Sequence, residues 1–147
     1  MKIRTLYQSI ITVAFFLSLN IGASHAQSSA SIWDGAFTDA QATRGEADYN
    51  ANCVSCHAAD LRGNSNTPSL RGMSFMFIWE AKSLGELFTK MRTEMPTDQP
   101  GSLSAQSYVD ILSFILRTNQ FPAGENELAT DTKLLNQIQI TSKPASN

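Results

Sequence analysis

Both cysteines of this 147-residue chain fall in one run, Cys53-Val54-Ser55-Cys56-His57, which also holds one of its two histidines. The other histidine, His25, lies in a stretch that reads as an export signal. Lys2 and Arg4 give a positive start, and Ile10 to Ile21 is mostly apolar. Ser24-His25-Ala26 then offers small residues at the −3 and −1 positions before Gln27. A spanning helix wants about 20 apolar residues, and Thr12, Ser18 and Asn20 interrupt a shorter run. The expectation is a signal peptide at 1–26 and one mature domain at 27–147, with a core at about 33–122 and a tail at 123–147. Gln27 is not Cys, so no lipid anchor is indicated. Cleavage leaves His57 as the single histidine and brings the charge from −2 to about −4. The expected compartment is the periplasm. It is oxidising, and two free thiols do not normally persist there.

The body of the chain reads as all-α. With 42% hydrophobic and 16% charged residues, the whole chain has ordinary globular composition for one domain. Charge runs and internal repeats are missing, which argues against nucleic-acid binding and solenoids. Thr38 and Gln41 form a capping-box pair behind Phe37, and Ala42, Gly45 and Tyr49 share one face of the helix beyond it. A mid-helix glycine costs about 1 kcal/mol against alanine, so Gly45 implies the close approach of another helix. Ser83 and Glu86 make a second capping pair ahead of Leu84, Leu87, Phe88 and Met91, and Pro96 stops that helix. Ser104 caps a third, with Tyr108, Ile111, Leu112, Ile115 and Leu116 as its buried stripe. Phe75-Met76-Phe77-Ile78-Trp79 is apolar nearly all round and predicts a short buried helix or turn. Loops fall at 60–72 and 96–102. Leu134, Leu135 and Ile138 suggest a weak last helix, and Ile138–Thr141 is the best strand candidate. So many aromatic residues in so small a body suggest that something large and apolar sits inside.

Three rival chemistries use a C-x-x-C pair, and each meets an obstacle. A structural zinc site wants four nitrogen or sulfur ligands, where the mature chain has two cysteines and one histidine. A thiol–disulfide exchanger expects the pair after a strand in a βαβ setting, where this one comes after a helix pattern. A disulfide across the pair would close a tiny loop and gain little. C-x-x-C-H as a whole is the attachment signature of c-type haem. Two cysteines three apart at a helix end can each form a thioether to one porphyrin vinyl group, and the next residue puts an imidazole under the iron. The expected cofactor is therefore one covalent haem c, with His57 as proximal ligand.

With no second histidine left, the other axial position falls to Met73, Met76, Met91 or Met95, or stays open. Met91 fits the apolar stripe of its helix, and Met73 and Met76 border the Phe75–Trp79 segment, where gap-filling is the usual methionine role. Met95 precedes Pro96, and a residue before proline is pushed out of the helical region. That lifts it onto a loop, free to point at iron. A His/Met pair raises the reduction potential and leaves no vacancy for substrate, which suits an electron carrier rather than an enzyme.

Through Cys53-Val54-Ser55-Cys56-His57, the Gly45/Tyr49 helix before it and Met95-Pro96, the chain resembles the class I monohaem cytochromes c over about Trp33 to Ile140. The run Met95-Pro96 through Pro100-Gly101-Ser102-Leu103-Ser104 to Tyr108-Val109-Asp110-Ile111-Leu112 looks like the bacterial members associated with quinoprotein alcohol and sugar dehydrogenases. So does Trp33-Asp34-Gly35 with Thr38-Asp39-Ala40-Gln41-Ala42. The resemblance implies a cytochrome c-like fold of short helices around the haem, with the first helix crossing the Ser104–Thr118 helix. It also implies that the Pro68 carbonyl accepts the His57 Nδ1–H, a bond that would fix the ring; a plain loop turn is the alternative there. Trp79 would bond a haem propionate or simply fill the core. The partners implied are redox proteins: a quinoprotein dehydrogenase as donor, and an oxidase or another cytochrome as acceptor. Two rivals stand beside the carrier: a cytochrome subunit of a dehydrogenase complex, and a haem enzyme or gas sensor with an open distal side. Lys82, Lys90 and Arg92 make either a basic patch or a solvated helix face.

Overall fold

The computed structural model describes residues 30–145, so the signal stretch expected at 1–26 lies outside the described residues. Six helices and two short strands run in the order β1 (Ala30–Ser31), α1 (Asp39–Asn52), α2 (Val54–His57), α3 (Gly72–Trp79), α4 (Leu84–Glu94), α5 (Ala105–Thr118), α6 (Thr132–Leu135) and β2 (Ile138–Gln139). A 3-10 turn at Ile32–Asp34 lies between β1 and α1. The fold is mostly helical, as the sequence implies.

The crossing of α1 and α5 is its frame. A Cβ placed on Gly45 would lie 1.8 Å from the Asp110 carbonyl oxygen, so the two backbones meet where only glycine fits. Arg44, beside it, holds Asp110 through Nε at 2.9 Å and also bonds Glu127. One turn on, the Tyr49 and Phe114 rings pack with centroids 5.2 Å apart. The stripe expected on α5 is buried, but so is every residue from Tyr108 to Leu116. The helix is enclosed rather than laid on a surface, and Asp110 and Ser113 are buried with their polar atoms bonded.

The helix starts obey the capping chemistry, with one difference. Thr38 Oγ1 accepts from the Gln41 N–H at 3.1 Å, but Gln41 does not return the bond. Its buried amide donates to the Leu128 carbonyl and accepts from the Leu128 N–H, at 3.1 and 2.8 Å. The side chain sits on the inner face of α1, so it satisfies two backbone groups of a loop that has no ladder of its own. The Ser83/Glu86 box on α4 forms in both directions. Leu84, Leu87 and Phe88 then point inward, and the helix ends at Met95, extended at φ −124° and ψ 148°.

The Phe75–Trp79 segment is helical but not buried all round. Phe75 and Trp79 face the core, while Met73 and Phe77 are 90% and 93% exposed. The helical period sends Phe75 and Trp79 to one side and Met73 and Phe77 to the other, and α3 packs on one side alone. The strand candidate shrinks to Ile138–Gln139, which pairs in parallel with Ala30–Ser31. Leu128, Leu135 and Ile140 join the core, so the tail is packed onto the body. Among the described residues, no helix is long and apolar enough to cross a membrane.

Candidate functional site

Cys53 caps the end of α1, its N–H bonded to the Tyr49 carbonyl at 2.8 Å. The single turn of α2 carries Cys56 and His57, with the His57 N–H returning to the Cys53 carbonyl at 2.9 Å. The chain then reverses at Ala58, which takes φ +63°. The Tyr49 hydroxyl holds that reversal by donating to the Ala58 carbonyl at 2.7 Å. Burial pushes the Tyr49 phenol up, so it stays a protonated donor.

The loop after the motif folds back on the imidazole. The Gly63 N–H bonds the His57 carbonyl at 2.9 Å, and Asn64 and Thr67 pair across the turn. Asn64 Nδ2 donates to the Cys56 carbonyl at 3.2 Å. Gly63 has φ +66°, and a Cβ there would stand 2.1 Å from the Thr67 carbonyl oxygen. That close fit brings the Pro68 carbonyl oxygen to 3.2 Å from His57 Nδ1. A carbonyl only accepts, so Nδ1 carries the proton and Nε2 keeps the lone pair. Burial of the ring lowers its pKa, with the Pro68 carbonyl pulling partly the other way. The neutral imidazole, the form that binds metals, is favoured.

Cys53, Cys56, His57, Pro68, Trp79 and Met95 all line one cavity of about 650 Å³. Tyr49, Phe75, Leu87, Tyr108, Ile111 and Ile115 form much of its apolar wall. Trp79 is both buried and on the wall, with Lys82 Nζ 5.0 Å from its ring centroid. Of the four methionines, Met91 and Met95 reach the cavity. Met73 is exposed, and Met76 packs against the core and lines a separate, smaller hollow. Lys82, Lys90 and Arg92 each have a neighbour of their own. Lys90 pairs with Glu94, Arg92 lies over Phe88, and Lys82 lies over Trp79.

The donor set fits a covalent macrocycle better than its rivals. The cysteines are not bonded to each other. Burial, helped by the nearby Asp48 and Cys56, pushes the Cys53 thiol up to about 11. Exchange chemistry needs the opposite shift. Among the described residues, no three His, Cys, Asp or Glu side chains converge into a metal cage. The cavity volume lies within the range of cofactor sites, about 300–1,000 Å³, and its wall offers two thiols and one imidazole on adjoining turns.

Sequence reasoning misses three polar contributors: the hydroxyls of Tyr49 and Tyr108 and the amide of Asn64. Tyr108 reads as core from its helical position, yet its hydroxyl donates to the Met95 carbonyl at 2.6 Å. The available signal is tyrosine in place of phenylalanine at two buried positions, since a buried phenol needs an acceptor.

No curated protein and no solved structure matches the chain. A family model does, over residues 40–115, from the start of α1 to near the end of α5. That span contains the C-x-x-C-H run, the Pro68 loop and Met95, and the domain it describes carries covalent haem c and works with redox protein partners. The chain belongs to the c-type cytochrome family described as cytochrome c oxidase, cbb3-type, subunit III.

Proposed function

We propose that the protein is a periplasmic monohaem cytochrome c that carries single electrons between exported redox proteins and is not itself an enzyme. The observation that carries this is the meeting of Cys53, Cys56, His57 and Met95 on one apolar cavity, with His57 Nδ1 already turned to the Pro68 carbonyl. Haem c, when bound, supplies an iron that takes up and gives back one electron. Cys53 and Cys56 would hold it by thioether bonds, and His57 Nε2 and the Met95 sulfur would bind its iron. The Pro68 carbonyl fixes the ring plane of His57 and makes its Nε2 a better donor. Trp79 would bond a propionate. The apolar wall would keep water from the iron. With His57 and Met95 both engaged, the chain would leave no open position for a substrate at the iron.

The donor and acceptor we favour are a quinoprotein dehydrogenase and an oxidase or second cytochrome, given the resemblance of the Met95–Leu112 run. A second reading, a cytochrome subunit seated in a dehydrogenase complex, is supported by α3. Its Met73 and Phe77 are large apolar side chains left almost fully exposed, which is common at contact surfaces. Co-purification with a dehydrogenase separates a subunit from a shuttle.

An optical redox titration of the mature protein tests the central reading. A reversible one-electron wave with a low-spin haem c spectrum, and a reduced form that resists carbon monoxide, supports the carrier. Rapid carbon monoxide binding without denaturation points instead to the enzyme or sensor with an open distal side.

A further inference from the structure

Met95 is anchored through its backbone at both ends. Its N–H closes α4 on the Met91 carbonyl at 3.0 Å, and its carbonyl accepts from the Gly101 N–H at 3.3 Å. A third bond comes from outside the loop: the Tyr108 hydroxyl donates to the same carbonyl at 2.6 Å. Tyr108 stands in the first turn of α5, is 2% exposed, and lines the cavity. α5 is in turn locked against α1 at Gly45, where a single added carbon has no room. The loop bearing the methionine is thus tied to the least yielding element of the fold. Phenylalanine would fill the same apolar space, so the hydroxyl is there for the carbonyl.

We infer that Tyr108 is a positioning residue for Met95, holding the residue-95 backbone so that the thioether stays turned into the cavity. This rests on the reading of Met95 as the second axial ligand. Without the hydroxyl, the Met95 carbonyl keeps only the longer bond from Gly101. The state with sulfur released then gains about fivefold in population, the ordinary result of losing one intramolecular hydrogen bond. Because methionine ligation raises the potential, its loosening lowers it.

The test compares wild type, Tyr108→Phe and Ser113→Ala as haem-loaded mature proteins. Three quantities are read: the sulfur-to-iron charge-transfer band of the oxidised form, the rate of carbon monoxide binding to the reduced form, and the reduction potential. Ser113 is the control. It is buried on the same helix and its hydroxyl bonds the Val109 carbonyl at 2.8 Å, within α5 itself. Tyr108→Phe is expected to weaken the band, speed carbon monoxide binding about fivefold and lower the potential, while Ser113→Ala leaves all three as in wild type. The inference is overturned if Tyr108→Phe leaves the band as in wild type, whatever the other two readings, or if Ser113→Ala moves all three equally. A band present in wild type and untouched by Tyr108→Phe removes this inference alone. A wild type without the band removes the Met95 reading and this inference with it.

Discussion

His57 Nδ1 and the Pro68 carbonyl oxygen stand 3.2 Å apart, and Gly63 makes that approach possible. A Cβ on Gly63 would come 2.1 Å from the Thr67 carbonyl oxygen and 2.8 Å from that of Pro68, at a φ of +66° that side chains resist. Gly63→Ala is expected to push the Pro68 carbonyl away from the imidazole. It should cost about 2 kcal/mol in a urea melt and raise the reduction potential, because an imidazole without its acceptor gives less charge to the metal. Unchanged potential and stability would show that the loop has room the structure denies it.

The α1–α5 crossing makes a prediction opposite to helix propensity. In an open helix, Gly45→Ala should stabilise by about 1 kcal/mol. Here the new methyl would stand 1.8 Å from the Asp110 carbonyl oxygen, and forcing it in costs about 1–3 kcal/mol, occasionally more. A net loss in urea stability is expected, together with a weakened Arg44–Asp110 pair. A gain would mean the helices do not meet at this point.

Met91 and Met95 both reach the cavity, and they differ in what holds them. Met91 lies within α4, and Met95 lies past its end in extended backbone. Met91→Leu should keep the sulfur-to-iron band and change stability by less than about 1.5 kcal/mol, as volume-conserving swaps do. Met95→Ala should abolish the band and admit carbon monoxide. The reverse pattern would transfer the ligand role to Met91.

The start of α4 gives a pH dependence. The Ser83 N–H and hydroxyl bond the Glu86 carboxylate and hold it below the usual range. A carboxylate depressed in the folded state stabilises above its unfolded pKa, about 4.3, and loses that contribution as pH falls through its folded value. Amides in the first turn of α4 should therefore lose protection in acid, measured against their intrinsic exchange rates at each pH. In Glu86→Gln this part of the pH dependence should be absent. Equal acid sensitivity in both proteins would refute it.

What can be read from the chain alone is local. Caps at Thr38, Ser83 and Ser104, the pre-proline exit at Met95 and the small residue at Gly45 each act within a few positions, and the structure has all of them. The Pro68 partner of His57 comes from family resemblance, since no local pattern in the loop announces it. What escapes depends on distant chain. Gln41 finds Leu128, 87 residues away, instead of closing its own box. β2 finds β1 across almost the whole described length, and no two-residue strand carries a period of its own. The outward face of α3 escapes because an all-apolar run does not say which side is covered. The choice between Tyr108 as filler and Tyr108 as donor turns on one hydroxyl, whose acceptor lies on another element.

Covalent attachment of one haem through Cys53 and Cys56 is the claim on which the rest depends. Intact-mass spectrometry of the protein matured in a host with a haem-attachment system tests it most directly. The expected result is the mass of the chain from Gln27 onward plus one haem, a pigment that survives acid–acetone extraction, and no such adduct in a Cys53→Ala/Cys56→Ala variant. An unmodified apo mass in the same host, or a pigment that extraction strips away, would contradict it.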